Sequence, residues 1–170
     1  MRTLPLIAAL AALSLTGQAM AQTVALKGPD GQSSTLSAAE LAALPQVKLT
    51  VTHHGKTATF EGAPLADVVA RVGAASGKAV RGPELATVIR VTAKDGYQVV
   101  FGLAETDPGT RKGRIILAAR DAAGLLKDDG PFRIVVEDDL RPARSARMVE
   151  TIEVIRLANA TPAVAGEHKH

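Results

Sequence analysis

Gly130-Pro131-Phe132-Arg133-Ile134-Val135-Val136-Glu137, followed by Arg141, Arg144 and Arg147 and then by Thr151-Ile152-Glu153-Val154, is the stretch on which the fold turns. A Gly-Pro pair breaks the chain, and the aromatic and β-branched run Phe132–Glu137 reads as a strand. A basic loop follows. Arg147–Leu157 then gives the last strand, with Val149, Thr151, Glu153 and Ile155 placed on one face by the two-residue period. Pro142 suits the start of a helical turn, and in that geometry Arg141, Arg144 and Arg147 share a face. Three guanidinium groups on one face suit phosphate or another oxyanion through forked hydrogen bonds. The competing use is pairing with Glu137, Asp138, Asp139 and Glu150.

Working outward, the same strand-and-turn grammar fills the chain. Thr23–Lys27 is a strand, and Pro29-Asp30-Gly31 a turn in which proline presets φ and glycine accepts a positive value. Ser37-Ala38-Ala39-Glu40 is a capping box that opens a helix over Ala38–Leu44, stopped by Pro45. Val47–Thr52 and Lys56–Phe60 alternate around His53-His54-Gly55 as a hairpin. Pro64 starts an amphipathic helix with Leu65, Val68, Val69 and Val72 on one face and Gly73 beyond its end. Val88–Ala93 and Tyr97–Phe101 flank Asp95-Gly96, a strong hairpin signal. Leu103–Thr106 reads as one helical turn, Arg114–Ala119 as a strand and Asp121–Gly124 as a turn. About eight or nine short strands with two or three short helices and no βαβ alternation predict a single α+β domain of mixed sheets.

Residues 1–21 read as a secretory signal peptide: Arg2, the apolar run Leu4–Leu15, and Ala19-Met20-Ala21 as a small-x-small cleavage site. The expected organisation is therefore a leader over 1–21, a domain over 22–157 and a disordered tail over 158–170, in the periplasm, with no membrane insertion after cleavage. Removing Arg2 leaves 19 basic against 17 acidic residues, too mild a balance to imply nucleic acid. Three Phe, one Tyr and no Trp also argue against a base-stacking platform, and place the core on Val, Ile, Leu and Ala. The chain has no cysteine, which excludes disulfides and thiolate metal sites alike.

Several segments resemble the molybdopterin-binding domain of sulfite-oxidase-type oxidoreductases. Phe60-Glu61-Gly62-Ala63-Pro64-Leu65-Ala66-Asp67-Val68-Val69 looks like that family's strand-to-helix junction, and Ala93-Lys94-Asp95-Gly96-Tyr97 like one of its hairpins. Ile116-Leu117-Ala118, the Asp121–Leu125 turn, Gly130-Pro131-Phe132-Arg133 and the closing I-x-V strand follow in the family's order, over about Val24 to Arg156. The resemblance implies a similar fold, an oxidoreductase ancestry, and a pterin phosphate held by basic residues of the closing region. It also implies a molybdenum-ligating cysteine near Val51-Thr52-His53-His54-Gly55-Lys56, where this chain has histidines. Imidazole does not replace an anionic sulfur donor, so molybdenum catalysis is not expected. Family enzymes also cross the membrane folded, behind a twin-arginine signal, whereas Arg2 has no arginine neighbour.

The ligand-contact candidates are Arg141, Arg144 and Arg147, with His53, His54 and Tyr97. His53 and His54 point to opposite faces if they lie on a strand and are exposed if they lie in a turn; neither arrangement makes a metal site. Tyr97 is expected at a strand edge with its hydroxyl in solvent. Glu105 and Asp107 flank a break and are expected to cap it, and His168 and His170 fall in the tail. No nucleophile elbow, P-loop or dinucleotide fingerprint occurs, so no catalytic residue is assigned. Three functions follow: a cofactor-free binding or accessory module for an anionic small molecule or a periplasmic protein partner, a molybdopterin-dependent oxidoreductase, or a structural partner-binding domain.

Overall fold

The computed structural model describes residues 22–157; the expected leader at 1–21 and tail at 158–170, with His168 and His170, lie outside the described residues. The chain runs β1 (Thr23–Lys27), β2 (Ser33–Ser37), α1 (Ala38–Ala42), β3 (Val47–His53), β4 (Lys56–Pro64), α2 (Leu65–Ala70), β5 (Thr87–Ala93) and β6 (Gln98–Gly102). It continues through β7 (Ile115–Asp121), β8 (Gly124–Leu125), β9 (Arg133–Val136) and β10 (Val149–Arg156). One sheet has the order β2-β1-β10-β5-β6; the other has β3-β4-β7-β8, with β9 also paired to β7. All pairings are antiparallel except that of β1 with β10. The expected α+β class is the one observed, with ten strands in place of eight or nine because Ser33–Ser37 pairs with β1 as β2 and the two-residue β8 forms at the end of the expected Asp121–Gly124 turn.

Local chemistry accounts for most element ends. The Ser37 hydroxyl accepts from the Glu40 amide at 3.2 Å while Glu40 accepts from the Ser37 amide at 2.8 Å, so the reciprocal cap starts α1 as its spacing predicted. α1 is shorter than expected, ending at Ala42. The hairpin of β3 and β4 closes on His54 (φ 51°) and Gly55 (φ 73°), both left-handed as a two-residue type I′ loop requires. Asp95 and Gly96 sit in a loop closed by the Ala93 amide on the Tyr97 carbonyl at 2.9 Å.

The main core lies between the sheets. Val24, Leu26, Ile89, Val91, Phe101 and Ile152 of the first sheet face Ile115, Leu117, Ile134 and Val136 of the second, with Leu65, Val68, Val69 and Val72 from α2 and the turn after it. A smaller cluster of Leu49, Phe60, Ile116, Ala118, Leu126 and Val135 occupies the other face of the second sheet. β7 and β9 are thus apolar on both faces, which is why their sequences read as continuous runs and not as alternations. Arg133, only 7% exposed, closes this second cluster: its guanidinium lies 4.3 Å from the Phe60 ring centroid and donates to Asp129 at 2.7 Å.

Two bulges depart from simple alternation. In β10 the register against β5 shifts between Val149 and Thr151, so the buried set is Val149, Ile152 and Val154. The expected single face Val149, Thr151, Glu153, Ile155 is therefore split: one extra residue moves Val149 to the core side and leaves Glu153 outside, paired with Arg90. In β4 the register shifts between Glu61 and Gly62, where a Cβ on Gly62 would lie 2.0 Å from the Leu117 carbonyl oxygen. Only glycine permits that approach of backbones, which gives the Gly62 of the strand-to-helix junction a physical role.

Candidate functional site

The quoted stretch folds as β9, a loop, a 3-10 turn at Pro142–Arg144, and β10. The loop starts on Asp138 (φ 70°) and ends on Met148 (φ 49°), both left-handed for non-glycine residues. Met148 is held there from two sides, its amide donating to the Asp129 carbonyl at 3.1 Å and its carbonyl accepting from the Lys94 amide at 2.9 Å. The Ile134 amide bonds the Ala146 carbonyl at 2.8 Å, and the Val149 amide the Phe132 carbonyl at 2.9 Å. The loop is thereby laid across β9 and against the β5–β6 hairpin.

Between this loop and the two hairpin tips lies a cleft of about 810 Å³. Its polar lining is His54 from the β3–β4 turn, Asp95 and Tyr97 from the β5–β6 hairpin, and Arg141, Ser145 and Arg147 from the loop. Ala93, Pro142, Ala143, Ala146 and Met148 supply apolar wall. Four of the six residues selected from the sequence thus meet in one concavity: His54, Tyr97, Arg141 and Arg147. His54 and Met148 are both left-handed there, and such backbone conformations cluster at ligand sites.

The other two do not join them. Arg144 was expected to share a face with Arg141 and Arg147. Instead its Nε and Nη2 donate to the two carboxylate oxygens of Asp139 at 3.0 and 2.7 Å, and its Nη1 donates to Glu105 at 2.9 Å. Its guanidinium carbon stands 5.2 Å from the Phe101 ring centroid. The cause is backbone: Arg141 precedes the 3-10 turn in extended conformation (φ −134°), and Ser145 ends it, so the helical spacing assumed for the three arginines covers only three residues. These carboxylates fix Arg144 in the protonated form, raising its pKa above the ordinary guanidinium value, chiefly through the Asp139 hydrogen bonds and then that of Glu105. His53 ends β3 with both ring nitrogens buried and unpartnered, so the expected pair of exposed imidazoles is not formed.

The remaining groups sort clearly. Arg141 makes no ion pair among the described residues. Arg147 touches Asp129 at 3.0 Å, an aspartate already engaged by Arg133. The Tyr97 ring is 48% exposed, but its hydroxyl donates to the Ala143 carbonyl at 2.7 Å instead of pointing into solvent. It staples the hairpin to the 3-10 turn, a link between distant segments that no local pattern encodes. Glu105 accepts from the Gly102 amide at 3.0 Å, and Asp107 from the Gly77 and Gly109 amides at 2.7 Å each, so both cap backbone as expected. Burial works to raise the Glu105 pKa, but the Gly102 amide, Arg144 and Arg111 outweigh it and hold it below the usual carboxylate value. Ser145, which has no histidine near it in sequence and so is not assigned as a nucleophile, is buried in the cleft wall.

No protein-family model and no curated protein matches the chain. Among solved structures it is similar to the sulfane dehydrogenase SoxCD from Paracoccus pantotrophus, with a TM-score of 0.60 at 15% identity. The match covers 80% of this chain and 38% of that one, so the chain spans well under half of its neighbour's length. At this identity the likeness is one of fold: an α+β domain similar to the sulfite-oxidase-type molybdopterin-binding fold. The residues present do not fit molybdenum. The cleft's donors are imidazole, carboxylate, phenol, hydroxyl and guanidinium, none a thiolate, and no three His, Asp or Glu side chains gather as metal ligands among the described residues.

Proposed function

We propose that this domain is a periplasmic binding or accessory module that takes a small anionic ligand in the cleft of His54, Tyr97, Arg141 and Arg147, without molybdenum chemistry. The observation that carries the reading is the state of Arg141: a guanidinium lining a concavity of ligand size, with no carboxylate partner among the described residues. Around it the wall is already fixed, by Tyr97 on Ala143 and by Met148 between Asp129 and Lys94. A prearranged cationic wall lowers the ordering cost of binding an anion. Catalysis has no support in the residues. Ser145 has no histidine beside it in the cleft other than His54 on a separate hairpin tip, and its hydroxyl instead accepts from the Val136 amide.

The test is elemental analysis for molybdenum, a visible spectrum and mass spectrometry of extracted small molecules, on protein purified from its native compartment. The expected result is a co-purifying organic anion, lost in Arg141→Gln, with no stoichiometric metal. Stoichiometric molybdenum with a pterin chromophore establishes the oxidoreductase reading instead. One observation favours a protein partner as a second ligand: Leu140, 99% exposed, stands at the loop tip next to Arg141. Leu140→Asp would then abolish partner capture while leaving small-anion retention intact.

A further inference from the structure

We infer that the ligand of this cleft is a singly charged organic acid with an apolar body, an alkyl or aryl carboxylate or sulfonate, and not a phosphate, and that the Ser145 hydroxyl is its neutral second contact. The inference rests on the anion-binding reading above and goes beyond it by fixing charge, polarity and an additional contact residue.

Charge comes first. The lining carries two guanidinium groups and one carboxylate, Asp95. One of the two, Arg147, already faces Asp129 at 3.0 Å. Asp129 also takes Arg133, so three guanidinium groups (Arg133, Arg141, Arg147) against two carboxylates (Asp95, Asp129) leave about one net positive charge, and Arg141 is the one with no carboxylate partner among the described residues. A phosphate dianion would meet Asp95 with too few cations to offset both of its charges, whereas a monoanion matches what is available.

Polarity comes second. Ala93, Pro142, Ala143, Ala146 and Met148 contribute most of the wall beside the Tyr97 ring. An inorganic oxyanion occupies a small part of about 810 Å³ and would leave those side chains against water. An apolar body removes that surface from water, a gain of about 25 cal/mol for each Å² covered.

Ser145 comes third. It is only 6% exposed yet lines the cleft, and its oxygen accepts a long bond from the Val136 amide at 3.4 Å. Its own hydroxyl hydrogen has no acceptor among the described residues. A buried donor left unmade is costly, and a ligand oxygen would satisfy it. The Ser145 amide is fixed on the Pro142 carbonyl at 3.0 Å, so the hydroxyl is placed before any ligand arrives. A carboxylate has two oxygens, one for the charged fork of Arg141 and one for this neutral donor.

The test uses the whole exported chain and three probes followed by amide NMR: 3-phenylpropionate, its neutral amide, and inorganic phosphate. The expected result is saturable shifts at Ala93, Tyr97, Ala143 and Met148 with phenylpropionate, and binding at least about tenfold weaker for the amide and for phosphate. Phosphate binding as tightly as phenylpropionate overturns this inference and leaves the anion reading standing. The neutral amide binding equally well overturns both, as does the absence of saturable shifts with all three. Ser145→Ala separates a ligand contact from a packing role. It should weaken phenylpropionate about fivefold, with the unliganded amide shifts of Ala93, Tyr97 and Ala143 unchanged, even though loss of the acceptor for the Val136 amide lowers the unfolding temperature. Unchanged affinity, or unliganded shifts displaced across the cleft wall, removes Ser145 from the site.

Discussion

Replacing Arg144 by Met distinguishes a ligand arginine from a structural one. The variant keeps an unbranched stem beside Phe101 and deletes the fork that holds Asp139 at 2.7 and 3.0 Å and Glu105 at 2.9 Å. A fully exposed pair contributes about 0.2–1 kcal/mol, while breaking a buried one costs about 3–5 kcal/mol. Arg144 is about one-third exposed and Asp139 more buried than that, so the cost lies between those limits, at about 1–2 kcal/mol. At roughly 2–4 °C per kcal/mol for a domain of this size, the unfolding temperature should fall by about 2–8 °C. The assay is urea and thermal unfolding at pH 7, with anion affinity measured in parallel. Arg144→Met should lose stability and keep the ligand; Arg141→Gln should keep stability and lose the ligand. The reasoning fails if Arg144→Met unfolds within about 0.3 kcal/mol of the parent, or if it loses the anion as completely as Arg141→Gln.

Three further outcomes follow from the packing and the ion pairs. Phe132→Ala, at a fully buried core position, should cost about 3–5 kcal/mol in urea unfolding; a cost below about 1 kcal/mol would contradict its place between the sheets. Gly62→Ala places a methyl 2.0 Å from the Leu117 carbonyl oxygen and must part β4 from β7, so it should abolish the native amide NMR spectrum; a native-like spectrum would disprove the close approach. Glu137 is held below the usual carboxylate range, first by the Arg114 side-chain hydrogen bonds, which outweigh burial, then by the Arg114 amide and the nearby charges of Arg114 and Arg111. A depressed folded pKa gives stability that is full above the unfolded value of about 4.5 and is lost as pH falls through the folded one. The difference in unfolding free energy between the parent and Glu137→Gln should therefore be constant from pH 7 to about 5.5 and shrink below about pH 4.5; a difference that does not change with pH would exclude the Arg114–Glu137 pair as a contributor.

What the sequence made legible was local. The reciprocal Ser37–Glu40 cap, the His54-Gly55 and Asp95-Gly96 turns and the start of α2 at Pro64 all express preferences of a few adjacent residues, and the structure has each. What stayed hidden depends on distant neighbours. Nothing near Tyr97 announces that its hydroxyl will meet Ala143, 46 positions away, or near Arg144 that Glu105 will claim one arm of its fork. The bulge in β10 is equally silent, because one extra residue reverses the faces without changing composition. Of the three arginines expected on one face, Arg141 and Arg147 line the cleft and Arg144 does not. His54 and Tyr97 reach it because two hairpin tips converge, a property of topology.

The strand order of the first sheet also dictates when the molecule can exist. β10, the last strand, lies in the middle between β1 and β5, and its pairing with β1 joins residues about 126 positions apart, as Ala25 with Thr151. A chain delivered from its N-terminus, whether by a ribosome or through a membrane channel, thus carries two half-sheets with a missing centre until residues 149–156 arrive. Early, local hairpins can form and melt, but no closed core traps them, because contacts of such long separation come late. Any protein ending before Val149 should behave as an unfolded polypeptide rather than a smaller domain. The same wiring keeps a nascent copy threadable for nearly its whole length and makes completion a single event at the end.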